Sequence, residues 1–598
     1  MKRALSVVLG SLISFSLILS ACSGNGSDNT NSAKETDAQR SPATSSAETK
    51  SKPAEGSNHF SLYYPGMTTP INLDGPGTKE IMQKSGIIWD KVEVGNGGDV
   101  AQQVNLKLAS GSLADAITLS ASSEIWGRLI KAEKLIPLDK YFEDPVKYPN
   151  LAKIDKRIID FWRASDGHIY FVPTGYEAIM EEPSAWNGKA DGLWIRQDLL
   201  QTVGMTNDEI KTLEGLETFL GKIKGMTDGK GRKIIPLSIG GQNFPYASMI
   251  TAMFGTAKWN EQADGTLLPD YRMPGFKQAW QWLNKMYNEG ILDAETSYHK
   301  DDLYNEKLNS LRYGALFTGG WGAPNPFVLQ EYKLPTTTTY ADLEKNGFPA
   351  EWYSMMKLPQ VPEIEPTPYL YLSPFGGNGT GVTIECGNPD LLLKALDWMQ
   401  TEEAYRIMEW GPESFGAHSV KDGAAVQHDE VFMSDKFWGG TNPMKNVTEI
   451  GFWWWKNIAS VSSTHILVLE PPFPVQNAEM YKAEQLNWEQ GFITPNPVWN
   501  NLIPIIGGNI EKYTPIQNDI RLKYFAKMMM AKSDNDFNAV YDDFLNEMKV
   551  RGHDNETIEE FNKQYSDYAN TPAGKIEWKI SKRIPRNVYG KEPVVVGK

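Results

Sequence analysis

Covalent cross-links contribute little to this chain. Its 598 residues include two cysteines, Cys22 and Cys386, so one bridge is the most it could form. Histidine is scarce as well, with seven scattered residues. There is no H-E-x-x-H pair, no clustered His/Cys set, no G-x-S-x-G elbow and no glycine-rich phosphate loop. Acid pairs such as Glu181-Glu182 and Asp542-Asp543 read as solvated faces. The sequence therefore offers no catalytic residue and calls for no cofactor. Positive charge is in deficit, with 59 Lys and Arg against 74 Asp and Glu for a net charge of −15. No basic stripe offsets it, which argues against a nucleic-acid partner. Past the first twenty or so residues no apolar run is long enough to span a membrane. There is also no repeat of fixed period.

What is present indicates a large, well-packed globular protein. Hydrophobic residues make up 41% of the chain and there are 19 tryptophans. At this length two or more domains are expected. The chain opens with Lys2 and Arg3, an apolar stretch diluted by serine, and small residues before a cysteine, the order of a secretory signal. Leu19-Ser20-Ala21-Cys22 resembles a bacterial lipobox. That resemblance implies a signal peptide over 1–21, cleavage before Cys22, and a lipid on its sulfur and new amino end (a palmitate-type anchor). Several acyl chains hold durably where one does not. Cys386 would then have no partner. Residues 23–57 are rich in Ser, Ala, Thr, Asn and charge, and bury too little to fold, so 22–57 reads as a lipidated cysteine and disordered tether.

The folded part begins with a strand at 60–64. Short helices at 78–84 and 100–108 follow, then a turn at Gly111 and an apolar strand to Leu119, which together suggest a parallel βαβ unit. Further strands are expected at 169–173, 192–196, 233–239 and 313–320. A helix over 274–290 buries Phe276, Ala279, Trp280, Leu283 and Tyr287, with Gly290 at its C-terminal cap. Asn388-Pro389 opens a helix striped by Leu392, Ala395, Leu396 and Met399. Thr514-Pro515 is expected to open another in the same way. Phe537, Val540, Tyr541, Phe544 and Met548 stripe the next, closed by Gly552.

Five short motifs stand in a familiar order. Ala109-Ser110-Gly111-Ser112-Leu113-Ala114-Asp115 is similar to the A-x-G-x-x-P-D segment of extracellular solute-binding proteins, with Ala114 where Pro is usual. Asp166-Gly167-His168-Ile169-Tyr170-Phe171-Val172-Pro173 resembles their D-G-K-x-Y-x-x-P. Leu193-Trp194-Ile195-Arg196-Gln197-Asp198-Leu199-Leu200 resembles L-x-Y-R-K-D-L-L. Tyr287-Asn288-Glu289-Gly290-Ile291-Leu292 resembles Y-x-E-G-L-I, and residues 388–399 resemble N-P-x-x-x-x-K-x-L-D-W. The resemblance covers roughly 60–408 and points to the carbohydrate-type, lipoprotein members of family 1 in Gram-positive bacteria. It implies an α/β, two-lobe type II fold like that of periplasmic binding proteins, with ligand in an interlobe cleft. Lobe 1 would be 58–173 plus 377–430, and lobe 2 would be 174–376 plus 431–598. The chain would cross between lobes near 172–176, 374–382 and 431–439.

Sugars present flat CH faces rimmed by hydroxyls, so their sites need exposed aromatic planes with polar groups at the edges. Glu177 follows the first crossing beside Tyr176. In the maltose-binding branch of the family the matching acid hydrogen-bonds the sugar. Trp321 follows a strand on a double glycine, and the matching tryptophan there stacks on a sugar ring. Ser120, Ser122 and Trp126 lie past the carboxyl end of a strand, where α/β clefts bind ligands. In Trp453-Trp454-Trp455 an extended backbone would turn Trp453 and Trp455 to one face. Where some relatives keep an acidic calcium loop, residues 226–232 hold Asp228 as the only acid beside Lys230 and Arg232, so no metal is expected.

The function implied is that of a lipid-anchored substrate-binding component of an ABC importer, not an enzyme. Its partners would be a carbohydrate ligand, of oligosaccharide type, and the permease transmembrane subunits, and it would touch the membrane through its anchor alone. An anchored extracellular polysaccharide-degrading enzyme is the alternative, since glycosidases also need aromatics and carboxylates.

Overall fold

The computed structural model describes most of residues 56–176, 191–319, 353–421 and 508–575, with short pieces between them. All described residues belong to one compact unit that starts at Lys52. No described helix is long and apolar enough to cross a membrane.

Strands β1 (His59–Tyr64), β2 (Ile88–Val94), β3 (Ala116–Ser120) and β4 (Phe171–Thr174) build a first sheet. β5 (Gly192–Arg196) and β6 (Ile235–Ser238) open a second, and β7 (Trp259–Glu261) and β8 (Leu267–Pro269) form a hairpin. β9 (Tyr313–Thr318) and β10 (Tyr353–Met356) complete the second sheet, and β11 (Leu370–Leu372) pairs with Ile493–Pro495. β12 (Asn378–Val382) then returns to the first sheet, between β3 and β4. The orders are β2-β1-β3-β12-β4 and β10-β5-β9-β6. β1 pairs with β2 and β3 in parallel, as the βαβ reading requires, and β12 is antiparallel to both neighbours.

Each sheet has its own apolar core. One draws on residues 60–176 and 382–408. The other draws on 193–361 and 520–548. Sequence pattern explains the elements that line them. Helix Pro274–Asn288 carries Pro in its first turn and is followed by Gly290 at φ 66°. Its Phe276, Ala279, Trp280 and Leu283 are buried, and Tyr287 packs at the margin of the second core. Each large side chain so buried contributes about 1.5–3 kcal/mol relative to exposure. Helix Pro389–Trp398 is capped by Asn388, which accepts from the Leu391 amide at 3.3 Å.

One helix departs from expectation. Pro515 does not open it but lies inside helix Asn509–Met530. Pro515 lacks the N–H that would reach the Glu511 carbonyl, a local defect. The earlier start is held from outside: the Glu560 carboxylate accepts from the amides of Asn509 at 2.6 Å and Ile510 at 3.4 Å. The far end is held by Asn284, whose Nδ2 lies 2.8–2.9 Å from the carbonyls of Met528, Met529 and Ala531. This helix thus docks on Pro274–Asn288 through both packing and a side-chain cap.

Candidate ligand-binding site

The carboxyl ends of β3 and β4 and the amino end of β12 share one edge of the first sheet. In the second sheet the end of β9 pairs with the start of β5, Thr318 opposite Gly192. The chain leaves the first edge after Thr174 and re-enters at Asn378, so both connections to the second sheet start there. Ligands of open α/β sheets bind outside such strand ends.

At the first edge Asn378 stands opposite both Ser120 and Thr174. Directly paired residues share a face, so the three form a row. Behind it Thr118 and Thr380, both buried, share a hydrogen bond of 2.9 Å. The opposite face of β12 carries Gly379 and Gly381. A Cβ on Gly379 would lie 2.9 Å from the Trp162 ring, and one on Gly381 would lie 3.1 Å from that of Trp126. Those glycines let two indoles lie against the strand.

Trp126 therefore departs from its expected role. It is 4% exposed, its ring sits 3.9 Å from that of Phe171, and its Nε1–H donates to the Ser120 carbonyl at 3.0 Å. It supports Ser120 from within the core and offers no open face. Tyr176 is also drawn inward. Its hydroxyl donates to Gln400 Oε1 at 2.8 Å, and burial, followed by the nearby Asp397 charge, pushes its pKa up. Ser120 itself is exposed at the strand end. Glu177, Ser122, Trp321, Trp453 and Cys22 lie outside the described residues.

The crossing segments approach closely. Gly376, at φ 92°, would place a Cβ 2.4 Å from the Thr174 carbonyl oxygen, so only glycine fits there. On the second sheet the Asp191 carbonyl accepts from Tyr369 Oη at 2.7 Å and Asn487 Nδ2 at 3.0 Å. These bonds fix the start of β5, beside Gly319 at the end of β9. An ion pair joins elements of the two cores: Arg128 Nε lies 3.2 Å from Glu511 Oε1. Sequence pattern misses this pair, because its members stand hundreds of residues apart.

Among the described residues one set of side chains converges as cation ligands would, and both there and at the 226–232 loop the acids pair with a protein cation. Asp228 accepts from the amides of Lys230 (2.9 Å) and Arg232 (2.8 Å) and from Arg232 Nε (2.6 Å). Burial acts to raise its pKa, but these bonds outweigh it and hold the carboxyl below its usual range. Asp293, Glu295 and His299 converge within 4.8 Å of one another. The Lys307 ammonium lies among them, 2.8 and 2.9 Å from the Asp293 oxygens, 2.5 Å from Glu295 and 3.4 Å from His299 Nδ1. His299 Nε2–H donates to the Gly240 carbonyl at 3.0 Å. A carbonyl cannot donate, so Nε2 carries a proton and Nδ1 is the ring atom that faces the lysine.

Residues 79–432 match the family model described as bacterial extracellular solute-binding protein. The fructooligosaccharide ABC transporter substrate-binding protein FusA of Streptococcus pneumoniae is 27% identical over 276 residues, 42% of this chain and 48% of that protein. The lipoprotein LipO of Bacillus subtilis is 23% identical over 222 residues, 36% of this chain and 41% of that one. The chain thus spans about half the length, or less, of the curated relatives it matches. In fold it is similar to the solved structure of S. pneumoniae FusA in complex with kestose, with a TM-score of 0.65 at 17% identity, covering 86% of this chain and 100% of that one. That likeness is one of fold, the two-lobe α/β type II arrangement.

Proposed function

The chain belongs to the bacterial extracellular solute-binding protein family, and on that premise we propose that it captures an oligosaccharide outside the cell and delivers it to an ABC permease. The observation that carries the reading is the family match over 79–432, which spans the first sheet apart from β1, the second sheet and both described connections between them. Ser120 and Asn378 at the first edge support it, because hydroxyl and amide groups suit the rim of a sugar. Members of this family bind and hand over solutes, and no covalent chemistry is asked of the site. FusA is named as a fructooligosaccharide binder, which makes fructooligosaccharides the first ligands to try.

In this reading ligand contact falls to Ser120, Ser122, Glu177, Trp321 and Trp453, with Trp126 positioning Ser120. Lobe 1 comprises 58–173 plus 377–430, and lobe 2 comprises 174–376 plus 431–598. Cys22 carries the lipid after removal of 1–21, and the protein works on the outer face of the cell membrane. LipO, a relative, is named a lipoprotein. The test is thermal shift of the full chain in a non-glycosidic detergent against fructo-, malto-, gluco- and xylo-oligosaccharides. Ligand at a hundred times its Kd stabilises by about 2.7 kcal/mol, so at least one saccharide is expected to raise the melting temperature clearly. A shift with peptides or metal ions and with no saccharide would overturn the proposal.

A further inference from the structure

We propose that Asn378 contacts the ligand directly, at the junction between the lobes, and selects neutral, hydroxyl-bearing ligands over anionic ones. The inference rests on the binding reading above and adds a residue and a ligand class to it.

The strand β12 reads Asn378-Gly379-Thr380-Gly381-Val382. Its glycine face is closed by Trp162 and Trp126. On its other face Thr380 is buried and satisfied by Thr118. One layer nearer the edge comes Asn378, half-buried. Its backbone carbonyl accepts from Thr174 Oγ1 at 3.1 Å. Its carboxamide has no hydrogen-bond partner among the described residues. Half-buried at the strand end, the amide is left to pair with solvent or with a ligand. Asparagine is also depleted in strands, so strand propensity does not explain its presence.

Its position is the middle of a three-strand row, with Ser120 on one side and Thr174 on the other. Both described connections to the second sheet start beside it, and Gly376 packs against the Thr174 carbonyl. A group at this junction moves little when lobes rotate about their connecting segments, so a contact made there persists through closure. The amide offers two donors and one acceptor oxygen. Adjacent sugar hydroxyls offer both kinds in return. A carboxylate or phosphate would call for a cation in the row, and Ser120, Asn378 and Thr174 supply none.

The test is isothermal titration of the full chain, wild type and Asn378→Ala, with the neutral oligosaccharide that gives the largest thermal shift. Loss of two hydrogen bonds is expected to weaken binding roughly five- to a hundredfold, with the unliganded melting temperature within about 2 °C, since the carboxamide has no partner among the described residues. If the alanine variant fails to fold, Asn378→Asp, nearly identical in shape, is titrated instead and is expected to weaken binding too. Wild-type affinity in the variant that folds overturns the inference. So does tighter binding of a uronate or phosphorylated oligosaccharide than of its neutral counterpart. Absence of any saccharide binding by the wild type overturns the parent reading and this one with it, and the wild-type titration alone identifies that case.

Discussion

At the residue scale, two tryptophans set support in the core against the contact proposed for Trp321. Trp126 sits under the first strand edge with its ring against Phe171 and its N–H on the Ser120 carbonyl. Trp126→Ala opens a cavity and leaves that carbonyl without its donor, so it is expected to cost about 3–5 kcal/mol of stability, read by denaturant unfolding. Trp321→Ala is expected to leave stability nearly unchanged and to weaken saccharide binding by about 0.5–2 kcal/mol, read by titration. If Trp321→Ala melts far lower and still binds normally, that residue is core. The Lys307 ammonium among Asp293, Glu295 and His299 is a residue-scale fact as well. A lysine ammonium and a divalent ion demand similar oxygen and nitrogen neighbours, and the chain supplies its own cation.

The C-terminal helices illustrate what an element owes to its surroundings. Helix Asn509–Met530 has Pro515 in its interior and no side-chain cap of its own at Gly508. A local reading starts the helix at the proline, since proline suits a first turn. The Glu560 carboxylate, delivered by helix Asp554–Ala569, meets the free amides at 509 and 510 and carries negative charge to the positive end of the dipole. Glu560→Ala is expected to fray residues 509–514 and to cost about 1–2 kcal/mol. Faster amide exchange confined to that turn is the readout, with Glu560→Gln intermediate. Unchanged exchange in the alanine variant would show that packing alone holds the turn.

At the scale of the whole molecule, two cores meet through glycine-bearing segments and at least one ion pair. Arg128 and Glu511 belong to helices that pack on different sheets, and their bond spans the two cores. The pair is partly buried, and it is placed to bias how far the elements of the two cores separate. Arg128→Glu sets like charges against each other there. Small-angle scattering of the unliganded protein is expected to show a larger radius of gyration, restored by the swap Arg128→Glu with Glu511→Arg. A radius indifferent to both substitutions would mean that the pair follows the lobe arrangement without influencing it.

The amino-acid sequence alone determined the class of the fold, the order of its early strands and helices, and the family. Those follow from apolar periodicity, caps such as Asn388, and short motifs, all of which act between residues close in the chain. It also drew attention to the end of β3, because a strand's carboxyl end is legible from where the apolar run stops. It misassigned Trp126, since exposure depends on which distant ring or glycine covers an indole, here Phe171 and Gly381. It passed over Asn378 inside the 374–382 stretch read as a crossing between lobes, because only strand pairing places that residue between Ser120 and Thr174. Tertiary structure alone decided the cap at Glu560, the cation among Asp293, Glu295 and His299, and the Arg128–Glu511 contact. Each is a short-range polar interaction between groups on different segments of the chain, and such interactions exist only once the chain has folded.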